Sequence, residues 1–206
     1  MATNACRATA QNLNRPNACV SLLRSTKPSS RDMNASFKSS TPEEHKADAP
    51  TNIRCAVVTV SDTRTIETDT GGREILDRLV QADHRVVVRE IIPDEPDQIR
   101  RVLSSACGRE DVDVVLLTGG TGITSRDTTF ETVGSLLTRQ LPGYGELFRM
   151  LSYSEIGPAT ILSRAIGGLL GRKVVLTMPG SRAAVRMAME KIILPEIGHL
   201  VREACR

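Results

Sequence analysis

The stretch Thr118-Gly119-Gly120-Thr121-Gly122-Ile123-Thr124-Ser125-Arg126-Asp127 concentrates the chemistry of this sequence. Glycines lack a Cβ, so they adopt positive φ and let backbone N–H groups come close to an anion. Thr118, Thr121 and Thr124 add hydroxyl donors. A phosphate-bearing ligand is the natural match. The spelling is not a Walker A loop, because no Gly-Lys-Ser/Thr follows, and G-x-G-x-x-G is absent as well. Two acids accompany the loop: Asp127 closes it, and Asp94 stands in Pro93-Asp94-Glu95. Magnesium favours one or two carboxylates completed by phosphate oxygens and waters. The pair therefore fits a metal–nucleotide site built for phosphate positioning and charge neutralisation. The plainer reading makes each aspartate the N-cap of a helix, one starting near Thr128 and one near Pro96. Ser61 and Asp62 are candidates to line the same edge of the site, with turn formation as the plainer reading.

These groups need elements to hold them. Ile53–Val60 is a short apolar, β-branched run that predicts a buried strand. Gly71–Ala82 predicts a helix with Ile75, Leu76, Leu79 and Val80 on one face. Arg85–Ile92 predicts a strand, and Pro96–Cys107 a helix burying Ile99, Val102, Leu103 and Ala106. Val112–Leu117 predicts a third strand, Thr128–Leu137 and Tyr144–Tyr153 two helices, and Lys173–Thr177 a late strand. From Ser181 to about Arg202 a long helix is expected, interrupted or started afresh near Pro195. Strands apolar on both faces, alternating with helices, indicate a parallel α/β sheet covered on both sides. Ligands of such sheets bind beyond the carboxyl ends of the strands. Ser61-Asp62, Pro93-Asp94-Glu95, the glycine loop and Met178-Pro179-Gly180-Ser181 all occupy strand exits, which predicts that they gather on one edge.

Composition narrows the alternatives. The chain has 206 residues, 40% hydrophobic and 25% charged, enough for one ordinary domain with a core. Aromatics are only 2% and Trp is absent, which speaks against a stacking platform for single-stranded nucleic acid. The net charge of +3 belongs to residues 1–51, which hold seven Lys/Arg and four Asp/Glu; residues 52–206 hold twenty of each. No nucleic-acid surface is expected on a body without net charge. No apolar run has the length of a membrane span. Cys6, Cys19, Cys55, Cys107 and Cys205 are odd in number and scattered, and the three histidines lack spaced partners, so neither a disulfide framework nor zinc is expected. Residues 1–51 lack periodicity and read as a disordered tail ahead of a domain over 52–206. Arg7, Arg15, Arg24, Lys27 and Arg31 without an acid in residues 1–31 resemble an organellar transit peptide. A start at Met33 is the reading preferred over it.

Six ordered motifs resemble one family. Ser61–Thr70, Pro93-Asp-Glu95, Thr118–Asp127, Pro142-Gly-Tyr-Gly-Glu-Leu-Phe-Arg149, Leu162-Ser-Arg164 and Met178-Pro-Gly180 are similar to the MoaB/MogA molybdenum cofactor biosynthesis proteins. The spelling of Phe148–Gly157 is closest to the MoaB branch. The resemblance covers about residues 53–203. It implies a three-layer α/β/α sandwich with a mostly parallel sheet, assembled as a homotrimer or homohexamer in the cytoplasm. It also implies adenylylation of molybdopterin by Mg·ATP with release of pyrophosphate, ahead of a downstream molybdenum insertase. Asp94 and Asp127 match the family's catalytic, metal-binding aspartates. Gly119, Gly120, Thr121 and Gly122 match its phosphate loop, Ser61 and Asp62 its first ligand loop, Ser163 and Arg164 its pterin-side motif, and Pro179, Gly180 and Ser181 its nucleotide-side turn. One departure stands out: many adenylylating members carry Asn where this chain has Thr177 and Ser181. The alternative is therefore a molybdopterin-binding or carrier protein of the same fold that does not turn over.

Overall fold

In the computed structural model, residues 49–206 are described; the tail, its targeting segment and its alternative start lie outside them, apart from residues 49–51. Six strands form one sheet among the described residues: β1 (Arg54–Val60), β2 (Arg85–Ile92), β3 (Val114–Thr118), β4 (Arg139–Gln140), β5 (Gly167–Leu170) and β6 (Lys173–Met178). Their order is β2-β1-β3-β6-β5-β4. β2, β1, β3 and β6 run parallel; β5 pairs antiparallel with β6, and β4 antiparallel with β5. The helices are α1 (Thr70–Gln81), α2 (Pro96–Cys107), α3 (Thr129–Leu136), α4 (Pro142–Ile156), α5 (Arg182–Ala188) and α6 (Leu194–Cys205).

The sheet's period of two sorts its side chains into two cores. Cys55, Val57, Val114, Leu116, Val174 and Leu176 pack with Ile75 and Leu79 of α1, Phe148 of α4, Val185 of α5 and Ile197 of α6. Ala56, Val58, Val115, Leu117 and Val175 face the other way, onto Ile99, Val102 and Leu103 of α2 and Val133 of α3. The result is the expected three-layer α/β/α sandwich. Each fully buried Leu or Ile contributes about 1.5–3 kcal/mol. One polar tie joins α1 to α5: the buried Glu74 accepts from Arg182 at 2.7 Å and Arg186 at 3.3 Å and pairs with Arg78 at 2.8 Å. The Arg182 bond foremost holds the Glu74 carboxyl down at about 2.

Two local features differ from the sequence expectation, the strands β4 and β5 and the start of α4, while the fresh start of the last helix at Pro195 meets it. β4 and β5 are strands that the sequence does not announce. The helix after Ser181 ends at Ala188, passes through a π turn over Met189–Ile193 and restarts as α6, with Pro195 in its first turn. Proline has no N–H to give to the preceding turn, so a locally widened ladder accommodates it. Helix α4 begins two residues earlier than expected, on Pro142.

Candidate active site

Because β1, β2, β3 and β6 are parallel, their exits share one edge of the sheet, and backbone bonds knit them together. Ser61 N donates to Ile92 O at 2.8 Å, Gly119 N to Met178 O at 3.0 Å, and Thr129 N to Gly120 O at 3.1 Å. The glycine loop is thereby tied to β6 behind it and to α3 ahead of it. Gly119 and Gly120 sit at φ +102° and +62°, where a Cβ is disfavoured. A Cβ on Gly119 would come closer than 3 Å to Val60 O, and one on Gly120 closer than 3 Å to both Thr129 Oγ1 and Asp94 Oδ2. Two glycines of this loop are thus required by close packing as well as by backbone conformation.

Neither aspartate caps a helix. The N-cap of α2 is Glu95 and that of α3 is Thr128, neither through a side-chain bond. Asp94 reaches across the site instead: its Oδ1 accepts from Thr128 N at 3.1 Å and Thr128 Oγ1 at 2.7 Å, and its N–H donates to Asp62 Oδ1 at 3.1 Å. The residue is only 6% exposed. Burial pushes its carboxyl above the usual carboxylate range, the Thr128 bonds oppose that, and the charges of Asp127 and Asp62 add to it. A carboxylate raised by burial and like charge gains most from a bound cation. Asp127 is held the other way. Thr124 donates to its Oδ2 from Oγ1 at 2.5 Å and from N at 2.9 Å, and the hydroxyl bond is the main cause of a lowered carboxyl pKa. A Cβ on Gly122 would lie 2.7 Å from Asp127 Oδ2, so the loop folds tightly over this acid. Asp62 is lowered chiefly by Arg126.

An orphaned atom lies beside this pair. The Thr129 hydroxyl is fully buried and has no hydrogen-bond partner, and it flanks the same point above Gly120 as Asp94 Oδ2. Both hydrogen bonds to the Asp94 carboxylate fall on Oδ1. A buried hydroxyl next to a carboxylate oxygen is the surrounding that a water on a bound cation would satisfy. The donor set of Asp94, Asp127 and nearby hydroxyls is all oxygen, the chemistry magnesium takes. No group of three or more His, Cys, Asp or Glu placed to hold a metal occurs among the described residues. A cation here must complete its shell with phosphate and water.

The remaining candidates are distributed around this centre. Ser61, Gly119, Gly180 and Ser181 line a cavity of about 310 Å³ with Thr59, Asp69 and Thr118. Pro179 adjoins it, its carbonyl accepting from Thr118 Oγ1 at 3.2 Å. Ser61 and Asp62 also border a hollow of about 600 Å³ with Arg64, Arg89 and Pro93. Asp127 faces a third, of about 480 Å³, with Thr124, Thr128 and Glu131. Ser181 caps α5 by accepting from Ala184 N. Ser163 closes a 3₁₀ turn over Gly157–Leu162, next to Arg164. Thr177 is wholly buried and spends its hydroxyl on Ile166 N and O at 3.0 and 3.1 Å.

The resemblance matches Arg164 to a pterin-side motif; in the structure its guanidinium meets the glycine loop. It donates to Thr121 O and Asp127 O at 3.2 Å each and to Gly122 O, pairs with Glu131, and lies 5.2 Å from the centre of the Phe130 ring. One planar fork thus braces three loop carbonyls, which an ammonium cannot reproduce. Arg164→Lys is expected to retain the fold while amides of 119–127 exchange with solvent about tenfold faster. Unchanged exchange rates would remove the bracing role. Asp69, which reads from sequence as solvated or capping, does cap α1 through Gly72 N at 2.8 Å; what sequence reasoning misses is its burial against Thr59, whose Oγ1 donates to it at 2.8 Å.

Comparison with known proteins bears on this geometry. A sequence profile for a probable molybdopterin binding domain matches residues 56–199. Molybdenum cofactor biosynthesis protein B of Bacillus cereus is 54% identical over 164 residues, 79% of this chain and 97% of that protein. The Bacillus subtilis protein of the same name is 49% identical over 162 residues, 78% of this chain and 95% of that one. A crystal structure of a molybdenum cofactor biosynthesis protein B superposes with a TM-score of 0.74 at 53% identity, covering 77% of this chain and 99% of that one. The tungsten cofactor synthesizing protein MoaB from Pyrococcus furiosus superposes at 0.69 and 37% identity, covering 77% and 100%.

Proposed function

The chain belongs to the MoaB/MogA family of molybdenum cofactor biosynthesis proteins, on its MoaB side, and from that membership we propose that it is a Mg²⁺-dependent molybdopterin adenylyltransferase. The observation that carries the proposal is a glycine loop of positive φ that holds Asp94 and the orphaned Thr129 hydroxyl against Gly120 and Asp127 against Gly122. Molybdopterin's terminal phosphate oxygen bonds to the α-phosphorus of ATP. The bond from that phosphorus to the bridging oxygen breaks, and pyrophosphate leaves with the electron pair. An ionised phosphate needs no protein base, so the chain's task is positioning and charge.

Asp94 and Asp127 would hold Mg²⁺, which neutralises phosphate charge when bound. The N–H groups of the 119–122 loop would cradle phosphate, with Ser61, Asp62, Pro179, Gly180 and Ser181 along the nucleotide side. Ser163 stands toward the pterin, and Arg164 acts through the loop it braces. Leu147, Met150, Tyr153 and Ile161 are exposed apolar residues on α4 and the turn after it, which supports self-association into a homotrimer or homohexamer. Among the described residues no helix is long and apolar enough to cross a membrane. The bacterial relatives favour a cytoplasmic site of action, with the adenylylated product passed to a molybdenum insertase.

The deciding assay is anaerobic pyrophosphate release from ATP. Release is expected only with Mg²⁺ and molybdopterin together. Molybdopterin bound without release would make the protein a carrier.

A further inference from the structure

Arg126 belongs to the glycine loop, one residue before Asp127, yet its side chain reaches the exits of two other strands. Its Nη2 donates to Asp62 Oδ2 at 2.8 Å and its Nη1 to Glu95 Oε1 at 2.7 Å. Asp62 is joined in turn to the backbone of Asp94. The guanidinium therefore places a positive charge between Asp62 and Glu95, one hydrogen bond from the backbone of Asp94. All three partners of the clamp are exposed, Arg126 by 58%. Ion pairs in water hold weakly, so a stronger anion can draw the guanidinium off its acids.

We propose that Arg126 keeps the affinity of this carboxylate cluster for a bare divalent cation low, so that the cation is taken up together with the nucleotide's phosphates. This rests on the metal reading above. A charge of +1 beside Asp62 opposes a charge of +2 at Asp94 and Asp127 through Coulomb repulsion, tempered by solvent. Phosphate supplies negative charge that both cations share, and linkage makes each ligand raise the other's affinity. Arg126 is thus a positioning residue with an electrostatic part: it also ties the ends of β1 and β2 to the loop that follows β3.

Titration of the full chain with Mn²⁺, followed by electron paramagnetic resonance with and without a non-hydrolysable ATP analogue, tests this. Without nucleotide, Arg126→Gln is expected to bind Mn²⁺ about three- to tenfold more tightly than the parent. The gain in Mn²⁺ affinity on adding the analogue should shrink by the same factor. Arg126→Lys keeps the charge but not the fork and should match the parent. Equal or weaker Mn²⁺ binding by Arg126→Gln, or an altered affinity in Arg126→Lys, would overturn the proposal and leave Arg126 a tie between loops. No Mn²⁺ binding by the parent even with the analogue would instead overturn the metal reading.

Discussion

Asp127→Asn is expected to fold and melt like the parent protein while releasing pyrophosphate at least about a hundredfold more slowly. The fold should survive because both Thr124 bonds fall on Oδ2 alone. An asparagine presents a carbonyl oxygen there and turns its amide to the other side, so loss of stability should stay near 1 kcal/mol. What disappears is the negative charge. Asp127 is held below the usual carboxylate range, chiefly by its bond from the Thr124 side chain, where Asp94 is raised by burial. Molybdopterin affinity should change little, since the substitution removes a charge suited to a cation and not to a phosphate. Measuring rate and pterin binding on one preparation separates the outcomes. A rate within a few-fold of the parent would exclude Asp127 as a metal ligand, and lost pterin binding would make it a substrate contact instead.

Much of this site can be read without coordinates, because it hangs on strand exits. β1, β3 and β6 are built around Val-Val, Val-Val-Leu-Leu and Val-Val-Leu and are buried on both faces, as only a sheet covered on both sides allows, and parallel strands deliver their carboxyl ends to one edge. The acids that follow β2 and the glycine loop are therefore neighbours before any contact is known. β4 and β5 escape such reading for a physical reason. Arg139-Gln140 is exposed and two residues long, and β5 opens with Gly167-Gly168, which have no side chains to set a period. Partners distant in sequence create that strand. Thr177 holds the backbone of Ile166, the Tyr144 hydroxyl donates to Thr177 O at 3.0 Å, and a Cβ on Gly167 would press on Leu176 and Tyr144.

The arginines illustrate the same limit inside the site. An aspartate after a strand is informative because its short side chain acts where its backbone is. Arg126 and Arg164 span 6 Å or so of stem, and their partners lie 31 to 64 residues away in sequence for Arg126 and 33 to 43 for Arg164. The family motif marks Arg164 as a site residue, but only the fold shows its guanidinium spent on carbonyls of the loop. Thr177 carries the converse lesson. An exchange of Asn for Thr reads as a change of ligand contact, yet this threonine faces β5. At this position the side chain anchors Ile166, the residue before β5, to β6.

Gly120→Ala tests whether that anchoring of the loop matters as much as the acids it surrounds. Two costs combine. The first is conformational: φ +62° costs an alanine roughly 1–2 kcal/mol. The second is steric, because the new methyl would stand closer than 3 Å to Thr129 Oγ1 and Asp94 Oδ2. Neither atom retreats easily, since Thr129 is completely buried and Asp94 is pinned by Thr128. Overpacking of this kind adds about 1–3 kcal/mol. Gly171 supplies the control: it shares φ +62°, but nothing lies within 4 Å of its Cβ position. Gly171→Ala should therefore show the conformational cost alone and keep full activity. Gly120→Ala should be less stable than Gly171→Ala by the steric cost in urea titration, and should lose pyrophosphate release by about a hundredfold or more because the displaced group is Asp94. Equal stability losses in the two variants would mean that the Asp94 carboxylate and the Thr129 hydroxyl yield to the methyl, and that the close packing of loop against acid is not what holds the site.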